Sequence, residues 1–339
     1  MPSDFPFYSV ITTIQPPTSS VRRLSRKLSG CEGQLLIIGD KKGPATYPLA
    51  GAELVTIEAQ RALPFQLAPL LPEGHYVRKN LGYLLAIQRK AACIYETDDD
   101  NAPLPHWQPR QLKVKAKQVT AAGWHNVYEH FSQRSDLIWP RGFPVEMLAK
   151  APGKKRTLLG KLDQFSAPIQ QGLANGSPDV DAIWRLVLDK PFDFQENCSL
   201  FLAAGTWCPF NSQSTWWWPE AYPLMYLPSF CTFRMTDIWR SYIAQRCLWA
   251  IGKGVAFHAA EAHQDRNQHN LLRDFADEVP GYLQANRIIE CLAALKLRRG
   301  KNAMGENLLA CYQALVNIGI FPEKELGLVT AWLADLAQG

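Results

Sequence analysis

The chain contains no Cys-x-x-Cys pair, no uninterrupted apolar run of about 18 residues, no internal repeat and no low-complexity tract. Each absence excludes a class of protein. The eight cysteines, at positions 31, 93, 198, 208, 231, 247, 291 and 311, are too scattered for a zinc site or a disulfide frame. They read as reduced, mostly buried thiols. Without a long apolar run, no helix is expected to span a bilayer. The first residues, MPSDFPFYSV, offer neither a basic n-region nor an apolar h-region, so no secretory signal is expected and the chain reads as cytoplasmic. Excess charge is scarce too. The 36 Lys and Arg against 31 Asp and Glu leave +5, dispersed along the sequence, which argues against a nucleic-acid partner. One local basic face, Arg22, Arg23, Arg26 and Lys27, suits a phosphate-bearing substrate, an anionic membrane surface or plain solvent. Membrane contact is expected to be peripheral at most.

What is present is a chain of 339 residues, 47% apolar, enough to fill the core of one large domain or two modest ones. Eleven tryptophans exceed the needs of such a core, so some are expected to line a ligand cleft, where flat indole faces suit sugars. The opening alternates strands and helices. Tyr8–Ile14, Gln34–Asp40 and Ala52–Ile57 read as strands, Ser19–Leu28 as a helix that Ser29-Gly30 ends, Tyr76–Arg89 as helical, and Ala92–Glu96 as a further strand. The stretch from Ala102 to about Lys161 is Pro-rich and reads as irregular. A second ordered block runs from Ile169 to Phe257, and helices are expected over Tyr282–Leu297, Gly305–Ile318 and Glu323–Leu336. The economical architecture is an open, mostly parallel α/β sheet flanked by helices, with ligands at the carboxyl ends of the strands. Residues 1–280 are expected to form the main domain, divided at 101/102, and 281–339 a C-terminal helical extension.

The sharpest chemical signal is Asp98-Asp99-Asp100, delivered by an apolar strand. Three successive carboxylates repel one another unless a cation is present, and hard oxygen ligands select Mg²⁺ or Mn²⁺, which can bridge to a diphosphate. An acidic turn after a strand is the plain alternative. Thr12, Thr13 and Asp40 lie at the ends of the first two strands, and Arg78, Lys79 and Asn80 precede the acidic strand; all are candidates for binding a nucleotide-sugar, or else ordinary turn and helix-start residues. Thr236 as a helix N-cap with Asp237 in the first turn is a complete structural explanation of that pair, yet such a carboxylate facing a cleft also suits a base or charge stabiliser. His263 and Arg266 sit in what reads as a polar loop, where an imidazole could ligate a metal and a guanidinium could pair with phosphate. In Trp216-Trp217-Trp218, alternate side chains of an extended segment cannot all face one core, so an acceptor-stacking platform is expected, with Arg141 also on the acceptor side.

Several ordered segments resemble the STELLO glycosyltransferase family: YVRKNLGYLLAIQ from Tyr76, DDDN from Asp98, WPRGFPVE from Trp139, IQQGLANGSPDVDAIWRL from Ile169, PFNSQSTWW from Pro209, MTDIWRSYIAQRCLW from Met235 and HQDRN from His263. The resemblance extends from about Tyr8 to Trp332. It implies a GT-A-like nucleotide-sugar fold, with 1–101 as the nucleotide-binding half and 102–280 as the donor-sugar and acceptor half, a metal held by Asp98 and Asp100 with His263 as a C-terminal ligand, and Asp237 as base or stabiliser. Asp179 and Asp181 are the competing carboxylates, bonding donor-sugar hydroxyls or the acceptor. The plant members are Golgi proteins linked to cellulose synthase assembly; this sequence departs from them in having no apolar span, so neither property is carried over. The resulting expectation is a metal-dependent glycosyltransferase that uses Mn²⁺ or Mg²⁺, a nucleotide-sugar, most simply a UDP-sugar, and a glycan or lipid-linked acceptor. A nucleotide-sugar mutase, or a scaffold that keeps the fold without catalysis, are the rivals.

Overall fold

Phe7–Thr12 forms the first strand, β1, and five of its six residues are buried, as expected of a parallel strand covered on both faces. The computed structural model describes residues 6–119, 121–133, 135–149, 159–265 and 270–338. Helix α1 (Ser19–Ser29) starts where the Thr18 hydroxyl accepts the Val21 N–H and buries Val21, Leu24 and Leu28. It closes at Gly30, as the sequence suggested. Strands β2 (Gly33–Ile38) and β3 (Ala52–Val55), short helix α2 (Ile57–Arg61), helix α3 (Lys79–Gln88), β4 (Cys93–Thr97) and β5 (Asn101–Pro103) follow. Helix α3 lies close on the sheet because Gly82 faces it: a Cβ there would come within 2.5 Å of Val10 and 2.8 Å of Ile38.

The second half adds β6 (Lys113–Val119), β7 (Gly123–Trp124), α4 (Val145–Ala149), β8 (Leu159–Ser166), β9 (Ile169–Gly176), α5 (Ala182–Val187), β10 (Leu200–Leu202), β11 (Thr206–Trp207) and β12 (Ser214–Trp217). It continues through α6 (Thr236–Ala250), β13 (Val255–Gln264), α7 (Leu271–Ala294), α8 (Met304–Asn317) and α9 (Lys324–Ala337). Among the described residues, eleven strands make one open sheet in the order β3-β2-β1-β4-β12-β9-β13-β10-β6-β8, with β5 on β13. Strands β1 to β4 are wholly parallel, and antiparallel pairings enter with β12, β10, β8 and β5. Helices α6 to α9 pack on one another, and α9 also reaches α3. No helix among the described residues is long and apolar enough to cross a membrane.

Three expectations are corrected here. The stretch after Ala102 is not irregular throughout: Lys113–Val119 is a seven-residue strand between β10 and β8. Helix α7 begins at Leu271 and runs through Pro280, ahead of the helix read from Tyr282. Strand β13 does not stop near Phe257 but extends to Gln264, so His263 is a strand residue. The eight cysteines are free, three of them buried and five half-buried.

The order β3-β2-β1-β4 reverses direction at β1. The chain winds one way from β1 to β3 and then returns to place β4 on the other flank. Such a switch point opens a crevice between the carboxyl ends of the two strands. Thr12 ends β1, and Asp98 follows β4.

Candidate active site

The crevice at this switch point is a cleft of about 260 Å³ lined by all three carboxylates Asp98, Asp99 and Asp100, by Thr12 and Tyr76, and across from them by Arg141, Asp179 and Asp237. Each carboxylate of the triplet has its own support. The fully buried Lys79 donates to Asp98 Oδ1 at 2.8 Å and to the Thr97 carbonyl at 2.6 Å, so an ammonium lies beneath the first carboxylate. The Thr13 hydroxyl donates to Asp99, and the Thr18 hydroxyl to the Asp99 carbonyl at 2.6 Å. Gln264 Nε2 donates to Asp100 Oδ2 at 2.9 Å and is itself held by Gln213. One ammonium is too little for three clustered carboxylates. Burial first, and then the charges of Asp98 and Asp99, push the Asp100 carboxyl up to about 7.

On the opposite wall Arg141 clamps two carboxylates. Its Nε and Nη2 donate to the two oxygens of Asp179 at 2.7 and 2.8 Å, and Nη1 and Nη2 reach the two oxygens of Asp237 at 3.1 Å each. Nη1 also meets the Arg234 carbonyl. Gly142, with φ at +86°, turns the chain behind Arg141 against Ile238 of α6, and so brings the guanidinium to the start of that helix. The Ser212 N–H and hydroxyl add two more donors to Asp237. Burial raises the Asp237 pKa, but the charge and bonds of Arg141 outweigh it and hold the carboxyl below its ordinary range. Thr236 is not the N-cap that the sequence suggested; Met235 occupies that place, and the Thr236 hydroxyl bonds back to the Thr232 carbonyl.

A second pocket of about 600 Å³ opens beside the cleft and shares Thr12, Tyr76, Asp99 and Phe233 with it. It lies over the carboxyl ends of β1 and β2, between Ile14, Asp40 and Arg78. Asp40 accepts the N–H groups of Lys41, Gly74 and His75 at 2.7, 2.9 and 3.1 Å. Arg78 is 2% exposed and donates to Gln60 and to the Leu71 carbonyl, while its Nη2 is buried with no partner.

Other candidates stand elsewhere. Trp216 and Trp217 are fully buried and Trp218 nearly so. The alternation argument was sound, but β12 lies between β4 and β9 with a core on each face: Trp216 packs with Phe7, Tyr95 and Trp107, and Trp217 joins the larger core. Their indole N–H groups are spent on Glu261 and Glu96. Asn80 is buried too, exchanging two bonds with the Leu227 backbone, so its amide is not free for a ribose. Asp181 caps α5 at the Trp184 N–H and accepts the Trp139 indole, away from the cleft. His263 lies against Gly176 and Asp265, while its neighbour Gln264 points the other way to Asp100, as strand alternation demands. Arg266 lies outside the described residues. Among the described residues no group of three or more His, Cys, Asp and Glu could hold a metal ion, so the set Asp98, Asp100 and His263 is not assembled. Sequence reasoning missed Gln213, Gln264, Tyr76 and Phe233. For Gln264 the signal was available: extending the strand through His263 puts Gln264 on the acidic side.

An acidic cleft at a parallel-sheet switch point, with an adjoining pocket over the first two strands, defines an open α/β protein with a ligand-sized crevice where such sheets hold their ligands. Comparison with known sequences carries this further. Residues 234–338 match the family model of the STELLO glycosyltransferases. The chain is 31% identical over 351 aligned positions to two Arabidopsis thaliana proteins, probable glycosyltransferase STELLO1 and probable glycosyltransferase STELLO2. Those alignments take in 96% of this chain and 44% of each relative. Over almost its whole length the chain is similar to these STELLO proteins, and it spans under half the length of the curated relatives it matches.

Proposed function

We propose that this chain is a glycosyltransferase that moves a sugar from a UDP-sugar to a glycan or lipid-linked acceptor, with the nucleoside in the pocket over β1 and β2 and the diphosphate and sugar in the acidic cleft. The observation that carries this reading is the continuity of the two cavities through Thr12, Tyr76, Asp99 and Phe233, which gives an elongated ligand one path past three carboxylates. Uridine is supported by two of the polar groups that line the second, inner pocket, Arg78 and Asp40. Arg78 Nη2 lacks an acceptor, and an ionised carboxylate such as Asp40 can take about four bonds, one more than the three it has. A carbonyl and an imide N–H of one base edge would meet both needs.

The residues present fit a divalent cation held by Asp98 and Asp100 without His263. Mg²⁺ is commonly bound through one or two carboxylates with substrate phosphates and water completing the shell. Three carboxylates share the cleft with one ammonium, that of Lys79 on Asp98, a donor set short of positive charge. When bound there, Mn²⁺ or Mg²⁺ supplies neutralising charge for the departing diphosphate. The chain's own groups do the rest. Lys79 orients Asp98, Gln264 orients Asp100, and the Arg141 clamp sets Asp179 and Asp237 at the far wall. Asp237, saturated with donors, is better suited to stabilising positive charge on the sugar than to taking a proton; Asp179 is the alternative base. Location in the cytoplasm, with peripheral membrane contact at most, remains part of the proposal.

Calorimetry of UDP with the full chain tests the site. Mn²⁺ is expected to tighten UDP binding at least tenfold over EDTA, and Asp100→Ala to remove that gain while circular dichroism stays unchanged. Equal affinity with Mn²⁺ and with EDTA would exclude the cation bridge.

A further inference from the structure

Phe233 is 54% exposed, the only aromatic ring among the large exposed apolar side chains of the described residues. Ile14, 46% exposed, belongs to the same small set. Both line the inner pocket, and they reach it from opposite halves of the chain: Ile14 follows β1, and Phe233 opens the short turn before α6. Two apolar groups left in water on the rim of one pocket are a surface waiting for an apolar face.

The ring is not carried by a loose loop. The Met235 N–H donates to the Thr232 carbonyl at 2.9 Å, the Thr232 hydroxyl to the Asp277 carbonyl at 2.6 Å, and the Arg234 side chain to Glu278 at 2.8 Å. Tyr76 meets Phe233 edge-on at 5.0 Å between centroids, and His75 lies 5.7 Å away. The phenyl ring is thus held from behind while more than half of it stays open. A diphosphate has no use for such a ring, whereas every nucleobase has a π-face.

We infer that Phe233 and Ile14 form a clasp for the flat face of the donor's base, leaving the base edge to Asp40 and Arg78. This rests on the donor reading above and adds the residues that separate a nucleoside diphosphate from other diphosphates. The clasp also joins the two halves of the site, because the turn that presents Phe233 is the one whose Arg234 carbonyl receives Arg141.

The test is calorimetry of the full chain, in Mn²⁺, with UDP and with ribose 5-diphosphate, which keeps the sugar and diphosphate and lacks the base. Wild type is expected to prefer UDP. Phe233→Ala should weaken UDP about tenfold, equivalent to about 1.4 kcal/mol, and leave ribose 5-diphosphate unchanged. Phe233→Trp should retain UDP affinity, and Ile14→Ala should reproduce the selective loss to a smaller extent. Wild type binding neither ligand would remove the donor reading and the clasp with it. Wild type binding UDP while Phe233→Ala leaves UDP unchanged, or weakens both ligands equally, would overturn the clasp alone.

Discussion

Arg141 bridges two buried carboxylates, and removing it should be worse than removing either acid. Arg141, Asp179 and Asp237 side chains are only 7, 10 and 6% exposed, so solvent screens them little. Arg141→Met strips both carboxylates of their hydrogen-bonded cation and should cost about 3–5 kcal/mol of folding stability. Asp237→Asn keeps one oxygen for Ser212 or Arg141 but loses the charge-assisted bonds, and Asp179 still holds the guanidinium; a cost of roughly 2–3 kcal/mol follows. A helix-start carboxylate with no other duty would cost about 1 kcal/mol or less. In the double variant the repulsion is already relieved, so its cost should fall short of the sum by about 1–3 kcal/mol. Urea unfolding followed by tryptophan fluorescence and circular dichroism measures the cycle. Additivity within about 0.5 kcal/mol would refute the clamp as an energetic unit. UDP affinity in the folded Asp237→Asn variant should stay near wild type while turnover falls about a hundredfold.

Two further predictions come from groups outside the cleft. Trp216→Phe deprives buried Glu261 of a 2.6 Å indole donor and should cost roughly 2 kcal/mol, with turnover per folded molecule unchanged; lost turnover at full stability would restore the acceptor platform. His258 is buried between the Ser199 hydroxyl and Gln170, and burial, then the charge of Arg110, holds its pKa well below the ordinary value. The unfolded chain therefore binds the extra proton, so His258 contributes stability present above about pH 6.5 and lost as pH falls below it. From pH 7.5 to 5 this term removes up to about 2 kcal/mol, and His258→Gln should show a flatter urea-midpoint profile over that window. The raised carboxylates act with the opposite sign but are common to both proteins. Parallel profiles would mean that His258 is not held neutral.

The parts of this fold that are legible in the sequence are those fixed by local periodicity and caps. Strands β1 to β4 are dense in β-branched and aliphatic residues, Gly30 ends α1, and the acidic triplet follows an apolar strand. What was hidden depends on partners far along the chain. Lys113–Val119 carries lysines at alternate positions and reads as loop, yet pairing with β8 and β10 makes it a strand. Buried His258 and Glu261 interrupt the apolar pattern of β13, and it takes Ser199 and Gln170 for the first and Ser214, Trp216 and Arg110 for the second to satisfy them. Asn80 looked available because its partner, Leu227, is 147 residues away. Likewise, nothing local links Arg141 to Asp237, 96 residues on.

The proposed function requires the cleft at the carboxyl ends of β1, β2 and β4 to bind a UDP-sugar and break its sugar–phosphate bond. The direct measurement is UDP release from a panel of UDP-sugars by the full chain in Mn²⁺, with Asp100→Ala prepared and assayed beside it. Release above background is expected with at least one donor, abolished in the folded Asp100→Ala variant. Release by no donor, or equal release by wild type and Asp100→Ala, would contradict it.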